Sequence, residues 1–446
     1  MLALALAVSS GLFDPVALGM VSLSALLAIA AALLARGADV PRKPRAAVMV
    51  LALGLAASLV HDFLYLPGVA VDPARLGAFR PGLGVTGLVL LTYFWRGAPG
   101  WVTRPRFPLL VALATALGAM VILASPAPGI DVWQIQQRGA LALLSGRNPY
   151  EMLYVNPYGP GTPFLDPSLL TPDGRFVTAF PYMPLVALLD VPGFLVGDVR
   201  WTMLAGAAAS ALLVGALGRG ALAAELAGAL LLLQPQGWMV LELSWTEPVA
   251  LAALLLTALA VMHVRELEEM SPSGRRTWLL PGIAAALAVS TKQYVPLLAL
   301  PLLLAMPART RGKALLLAAA GAAALALPFL IASPPSFIRG VLEFQIRQPF
   351  RTDALSWPAA IVAQGGPVLP SWPAFLLAAA VLGATLRRSV SVGQALLAGG
   401  SAWIVFVAFN KQAFANYYWM GVGLLCAATA ALTALPKRVG PAPKVG

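Results

Sequence analysis

Long apolar blocks separated by short polar clusters set the first expectation for this chain. The uncharged runs 16–35, 107–125, 314–332, 392–409 and 417–435 are long enough to cross about 30 Å of hydrocarbon at roughly 1.5 Å per residue. Shorter or interrupted candidates are 46–64, 81–95, 181–197, 201–218, 247–264, 277–291, 293–308 and 368–386. The pattern predicts an all-α polytopic membrane protein with roughly 11–14 transmembrane helices. One stretch departs from it. From Ile130 to Leu185 the chain is polar, aromatic and broken by Pro and Gly, with an amphipathic helix expected over Val132 to Leu144.

Basic loops set the orientation. Arg36/Arg42/Lys43/Arg45, Arg96/Arg104/Arg106, Arg265/Arg275/Arg276, Arg309/Arg311/Lys313, Arg387/Arg388 and Lys437/Arg438/Lys444 are expected on the cytoplasmic side. The loops 126–180, 333–356 and 410–416 then fall outside. If run 201–218 exits and 247–264 starts outside, residues 220–246 must leave and return on one side. Each half is about 13 residues, or roughly 20 Å of helix, too short to cross. A re-entrant hairpin turning near Gln234-Pro235-Gln236-Gly237 is therefore expected, lining a cavity.

Composition narrows the class. The 446 residues are 59% hydrophobic and 11% charged, against about 25% charged in soluble domains, and no run is left for a soluble domain of useful size. The net charge of +12 would suit nucleic acid, but the excess lies on the cytoplasmic side, where topology alone places it. The single Cys426 excludes an intramolecular disulfide, and with only His61 and His263 there is no Cys/His zinc set. Residues 1–35 lack a basic n-region and cleavage site and are expected to be retained. Gly82-Leu83-Gly84-Val85-Thr86-Gly87 matches a dinucleotide fingerprint, but it opens a membrane run and is better read as close helix contact.

The candidate chemistry gathers on the outer side. Asp131 opens the long loop, where it is either a helix N-cap or a general base. Lys292 ends the 277–291 run, too short to span, so its ammonium is expected below the surface facing a cavity and partner; a snorkelling side chain is the bland alternative. Lys411, between Asn410 and Gln412, makes the same kind of appearance, and Arg339, Arg347 and Arg351 sit in the 333–356 loop. Cations against the positive-inside bias suggest an anionic phosphate headgroup, with Lys292, Arg347, Arg351 and Lys411 as its ligands. Glu242 and Glu247 are either second acids of the site or structural partners of an Arg. His61-Asp62 and Asp190 are expected as buried polar links between helices.

The order of the motifs resembles a known family. The loop acid precedes Gly-Arg-Asn-Pro-Tyr (146–150) and Phe-Pro-Tyr-Met-Pro-Leu (180–185); Ser-Thr-Lys-Gln-Tyr (290–294) and Asn-Lys-Gln-Ala-Phe-Ala-Asn-Tyr-Tyr (410–418) follow. Together they resemble the GT-C glycosyltransferases, in particular glycosyltransferase family 87, the actinobacterial polyprenol-phosphate-mannose-dependent mannosyltransferases. The resemblance covers roughly residues 120–435, with the usual Tyr-Pro-Pro standing here as Tyr182-Met183-Pro184. It implies a GT-C-type bundle: residues 1–106 as additional N-terminal helices, 107–435 as the catalytic membrane domain and 436–446 as a cytoplasmic tail.

By position the base is Asp131. Trp133, Arg147, Asn148, Tyr150, Tyr182, Glu247, Gln293, Tyr294, Gln412 and Tyr417 are the expected substrate contacts. The implied reaction moves a sugar, mannose by resemblance, from a polyprenyl phosphate to a glycolipid or glycan acceptor on the extracytoplasmic face of the cell membrane. It needs no nucleotide pocket; no cofactor is implied, and a divalent metal is left open. The competing readings are a transporter or flippase of lipid-linked sugars, which commonly carries repeats not visible here, and a non-enzymatic envelope assembly factor.

Overall fold

The computed structural model describes residues 1–35, 44–159, 161–162, 164–176, 180–270, 276–386 and 391–435. Arg36, Arg42, Lys43, Arg275, Arg387, Arg388 and the tail 436–446, on which part of the expected orientation rests, lie outside them. The chain is an all-α membrane protein: among the described residues seven helices are long and apolar enough to cross a bilayer.

The helices run between two ends. The short α1 (Leu2–Ser9) leads to a tight turn and α2 (Pro15–Leu34), started by Asp14 as N-cap and Pro15 at its first position. There follow α3 (Pro44–Leu64), α4 (Phe79–Leu91), the single turn α5 (Gly100–Thr103) and α6 (Arg106–Ala124). Gly82 lets α4 close on α6, since a Cβ there would lie 2.8 Å from Leu117. The close-contact reading of that glycine motif holds at this residue. Then come α7 (Asp131–Leu144), matching the expected amphipathic helix, α8 (Pro184–Leu195) and α9 (Arg200–Leu217). After α10 (Leu222–Leu233), α11 (Pro235–Glu242) and α12 (Glu247–Met270) stands a close pair, α13 (Leu279–Val289) and α14 (Val295–Leu304). The long α15 (Ala308–Ala332) leads through the short α16 (Pro334–Ile338), a π-turn over Arg339–Glu343, α17 (Phe344–Arg347) and α18 (Trp357–Ala363) to α19 (Trp372–Thr385), α20 (Val392–Ala408) and α21 (Ala415–Leu432).

One end is basic. Arg106 pairs with Glu225 at 3.3 Å, Arg219 with Glu266, and Arg309 with Glu268 at 3.4 Å. Leu435 N–H donates to Gly218 O there. The opposite end carries the loops before α2, α7 and α21 and holds the cavity described below. The two-stranded sheet of β1 (Tyr154–Val155) and β2 (Arg175–Phe176), antiparallel with Tyr154 opposite Phe176, sits in its long loop.

The structure overturns the expected hairpin at 220–246. Arg219 lies at the basic end, bonded to Leu435 O, whereas Glu242 at the end of α11 accepts from Val69 and Ala70 N–H at 2.6 Å at the cavity end. α10 and α11 thus cross together, about 18 Å plus about 12 Å of helix. Pro235 explains the break between them: it disfavours α backbone at Gln234, which is extended at φ −68° and ψ 136°.

The parity is repaired at α8, expected as part of a 181–197 span. Leu185 N–H bonds Ser290 O at its start, while just past its end Asp198 pairs with Arg200, which reaches Ile122 O and Glu242 O. Both ends of α8 lie at the cavity end, so it does not cross. α13 and α14, at about 16 Å and 15 Å, are the pair that enters from the basic end and turns back, with Lys292 at the tip. The boundary drawn at residue 106 has no counterpart in the packing. One core cluster runs from α1 to α21, and Ser10, Leu12 and Val69 line the cavity.

Candidate active site

A cavity of about 1020 Å³ opens at this end. Its walls come from the turn before α2, the start of α7, Tyr158, Phe164 and Leu165, the tip between α13 and α14, the 344–351 segment, and the facing ends of α19, α20 and α21.

Asp131 is the first residue of α7 and is half-buried in that wall. It is not the cap: Ile130 holds that position, and the Asp131 carboxyl accepts from its neighbour Val132 N–H at 2.8 Å rather than from a residue further into the turn. The same Oδ1 accepts from Tyr158 Oη–H at 2.8 Å. Burial pushes the Asp131 carboxyl up from its ordinary value, opposed by the Tyr158 hydroxyl, by N–H groups and by the charge of Arg351. Its place at a helix N-terminus also favours the ionised form. α7 is held in position by Gln136, which exchanges bonds of 2.7 and 3.1 Å with Ser244 in the link between α11 and α12.

Beside it lies a buried charge pair. Lys292 Nζ donates to Glu247 Oε1 at 2.5 Å, and the same oxygen accepts from Tyr294 Oη at 2.9 Å and Asn416 Nδ2 at 2.8 Å. The ammonium also sits 5.5–5.8 Å from the ring centres of Tyr182, Tyr294 and Tyr417. Each such ring is worth on the order of 0.5–2 kcal/mol to a desolvated cation. Glu247 Oε2 has no hydrogen-bond partner among the described residues, and Lys292 faces the cavity. Lys292, expected as a cation for a donor phosphate, is paired with Glu247 and walled by three tyrosine rings.

Two further cations, Lys411 and Arg351, line the cavity. Lys411 Nζ is anchored by Ile346 O at 2.8 Å and Gln348 O at 2.6 Å, and makes no ion pair among the described residues. Burial lowers its pKa from the ordinary lysine value. Arg351 forks onto Asp353 at 2.7 and 2.6 Å and lies between Phe164 and Phe414, 4.5 and 4.8 Å from their ring centres.

Tyr182, Gln293, Tyr294, Gln412 and Tyr417 also line the cavity. Part of their polar capacity is spent on the scaffold: Gln293 Nε2 bonds Pro181 O and Val341 O at 2.9 Å, and Gln412 Nε2 bonds Pro349 O at 2.8 Å. Five other candidates lie elsewhere. Trp133 donates to the Asp198 carboxylate at 3.2 Å and stacks under Arg200. Arg147 is exposed, and Asn148 caps a turn by accepting from Tyr150 N–H at 3.1 Å. Tyr150 is buried among Phe180, Phe329 and Phe337, and its hydroxyl supports Tyr182 O at 2.7 Å. Arg347 pairs with Glu343 at the exposed surface at 3.5 Å.

Of the remaining polar residues, Glu242 ties down the 68–70 loop, and Asp62 accepts from Trp238 Nε1 at 2.7 Å across helices, as expected of a polar link. Asp190 is buried without a hydrogen-bond partner among the described residues. Among the described residues no cluster of His, Cys, Asp or Glu is placed to hold a metal ion.

Sequence reasoning missed Tyr158 and Asn416 as site residues. Asn416 stood inside a quoted motif, but Tyr158 carries no local signal beyond its aromatic, Pro- and Gly-rich surroundings. Comparison of the chain with protein-family models, curated proteins and solved structures finds no match.

Proposed function

We propose that this chain is a membrane glycosyltransferase of the GT-C type, transferring a sugar from a polyprenyl-phosphate donor to a lipid-linked or envelope glycan acceptor. One observation carries the reading: a single cavity joins a carboxylate with an open oxygen, Asp131, to the cations Lys411 and Arg351. Phe375, Trp403, Phe406 and Val407 add an apolar part to its lining, and Phe375 is 58% exposed. A lipid chain can lie against these residues while its headgroup meets the polar ones. The sugar is mannose by the resemblance of the motifs.

In the proposed step the acceptor hydroxyl oxygen bonds to the sugar anomeric carbon as the bond from that carbon to the phosphate oxygen breaks. The hydroxyl proton passes to Asp131 Oδ2, and the electron pair leaves with the polyprenyl phosphate. A positioned base of this kind contributes on the order of 10²–10⁴ in rate. Lys411 and Arg351 meet the charge that grows on the leaving phosphate, as preorganised cations do at a developing oxyanion. Tyr182, Tyr294 and Tyr417 offer faces for a sugar ring, and the Lys292–Glu247 pair offers polar atoms to its hydroxyls. The basic residues at the opposite end support a cavity on the extracytoplasmic side of the cell membrane.

The test is incubation of the purified full chain with labelled polyprenyl-phosphate mannose and a glycolipid acceptor. Labelled glycolipid is the expected product. Intact donor carried across a liposome bilayer, with no sugar transferred, would replace this reading with a flippase.

A further inference from the structure

Asp131 and Tyr158 are tied at two points. Tyr158 Oη donates to Asp131 Oδ1 at 2.8 Å and accepts from Asp131 N–H at 3.4 Å. Val132 N–H donates to the same Oδ1 at 2.8 Å. One carboxyl oxygen is thus saturated. The other, Oδ2, accepts no hydrogen bond among the described residues, and Asp131 lines the cavity.

Tyr158 is itself fixed. Asn156 Oδ1 accepts from Tyr158 N–H at 3.0 Å, Asn156 Nδ2 donates to Gly159 O at 2.9 Å, and Phe164 packs edge-on to the Tyr158 ring with centres 5.3 Å apart. Burial pushes the Tyr158 hydroxyl well above its usual pKa, so it stays a donor.

We propose that Tyr158 is a positioning residue for the base, locking the Asp131 carboxyl through Oδ1 so that Oδ2 alone meets the acceptor hydroxyl. The inference rests on the glycosyltransferase reading. Carboxyl rotation about its last torsion is broad and roughly two-fold, so a carboxylate without such a lock presents either oxygen over a range of angles. A base working on a hydroxyl within about 3 Å loses rate steeply when it wanders. The hydroxyl also supports the ionised form of a carboxyl that burial opposes. The titratable and charged groups facing Asp131 are Tyr158 from its own loop, Tyr182 at the entry to α8, and Arg351 after α17. Of these Tyr158 alone touches the carboxyl.

Two measurements on the full chain test this. The first needs no substrate: infrared titration of the ligand-free protein, with Asp131→Asn as the reference that assigns the carboxyl band. Tyr158→Phe should raise the Asp131 midpoint by about one pH unit, since one donor to the charged form is lost. An unmoved midpoint overturns the proposal whatever the activity. The second is transfer from labelled polyprenyl-phosphate mannose to a glycolipid. Tyr158→Phe should lower kcat on the order of tenfold, move the acidic limb of the rate profile upward, and leave KM for the donor within about twofold. An unchanged kcat also overturns it. A shifted midpoint in a protein whose wild type transfers no sugar would defeat the proposed reaction and leave the Tyr158–Asp131 coupling standing. Should Tyr158→Phe fail to fold, Asn156→Ala, which loosens the turn holding Tyr158, should move the midpoint in the same direction.

Discussion

Lys292 Nζ lies 2.5 Å from Glu247 Oε1, joining the tip of the α13–α14 pair to the first residue of α12, with both side chains buried. The two residues stand 45 positions apart in the chain. Neither charge would be tolerated alone at this depth; Lys292 lines the cavity and Glu247 lies buried behind it.

Breaking that pair should cost more than removing it. Lys292→Met leaves the Glu247 carboxylate buried beside Tyr294 and Asn416, and should destabilise the protein by about 3–5 kcal/mol. The double variant Lys292→Met with Glu247→Gln removes the stranded charge and should recover much of the loss. Thermal unfolding in detergent measures both. Equal melting temperatures for the single and double variants would show that the stranded charge is not what destabilises the protein.

Asp131→Asn should abolish transfer without harming the fold. The base reading predicts a fall of about 10²–10⁴ in kcat, with a melting temperature near wild type because Ile130, not Asp131, occupies the cap position. Transfer by the purified Asn variant at near wild-type rate would remove Asp131 from the mechanism.

The pH profile follows from the same residue. A base works ionised, so activity is lost as pH falls through the Asp131 pKa, and burial has raised that value. The acidic limb of kcat/KM should therefore lie above the ordinary aspartate value of about 3.9. A limb at or below it would contradict the site as described.

Donor affinity should depend on Lys411 and Arg351 and not on Arg347. Lys411→Met and Arg351→Met each remove a charge from the cavity wall and should raise KM for a polyprenyl-phosphate sugar by about tenfold, as expected for a lost charge-assisted contact. Arg347→Ala, at an exposed pair outside the cavity, should leave it unchanged. A KM that responds to Arg347 alone would move the phosphate site to the loop surface.

Residue 219 decides the path of the chain. In a Cys426→Ala background, Arg219→Cys should react with an impermeant thiol reagent only after the membrane is opened from the cytoplasmic side, while Arg147→Cys should react from the other. A re-entrant 220–246 segment predicts the opposite for residue 219. Labelling of both from the same side would restore the hairpin.

Sequence alone determined what depends on local hydropathy and on chemistry against the prevailing bias. Runs of apolar residues placed α2, α6, α15, α20 and α21 within a few residues of their observed ends, because hydrocarbon thickness sets span length directly. The amphipathic period gave α7, and a lone acid at its mouth marked Asp131. Lys292 and Lys411 stood out because a cation at these positions needs a reason, and both do face the cavity.

What sequence left open is what long-range contacts decide. Parity is satisfied either by a hairpin at 220–246 or by a non-crossing α8, and hydropathy is nearly equal in the two cases. The bonds of Arg219 at the basic end, of Glu242 at the cavity end and of Arg200 beyond α8 choose the second. Aromatic residues in the long loop read alike along the chain, yet packing sends Tyr150 into a core and Tyr158 to Asp131. Lys292 was expected to face a cavity and a partner, and only helix packing names that partner as Glu247. A side chain's charge is written in the sequence, but its partner is set by which helix ends the fold brings together.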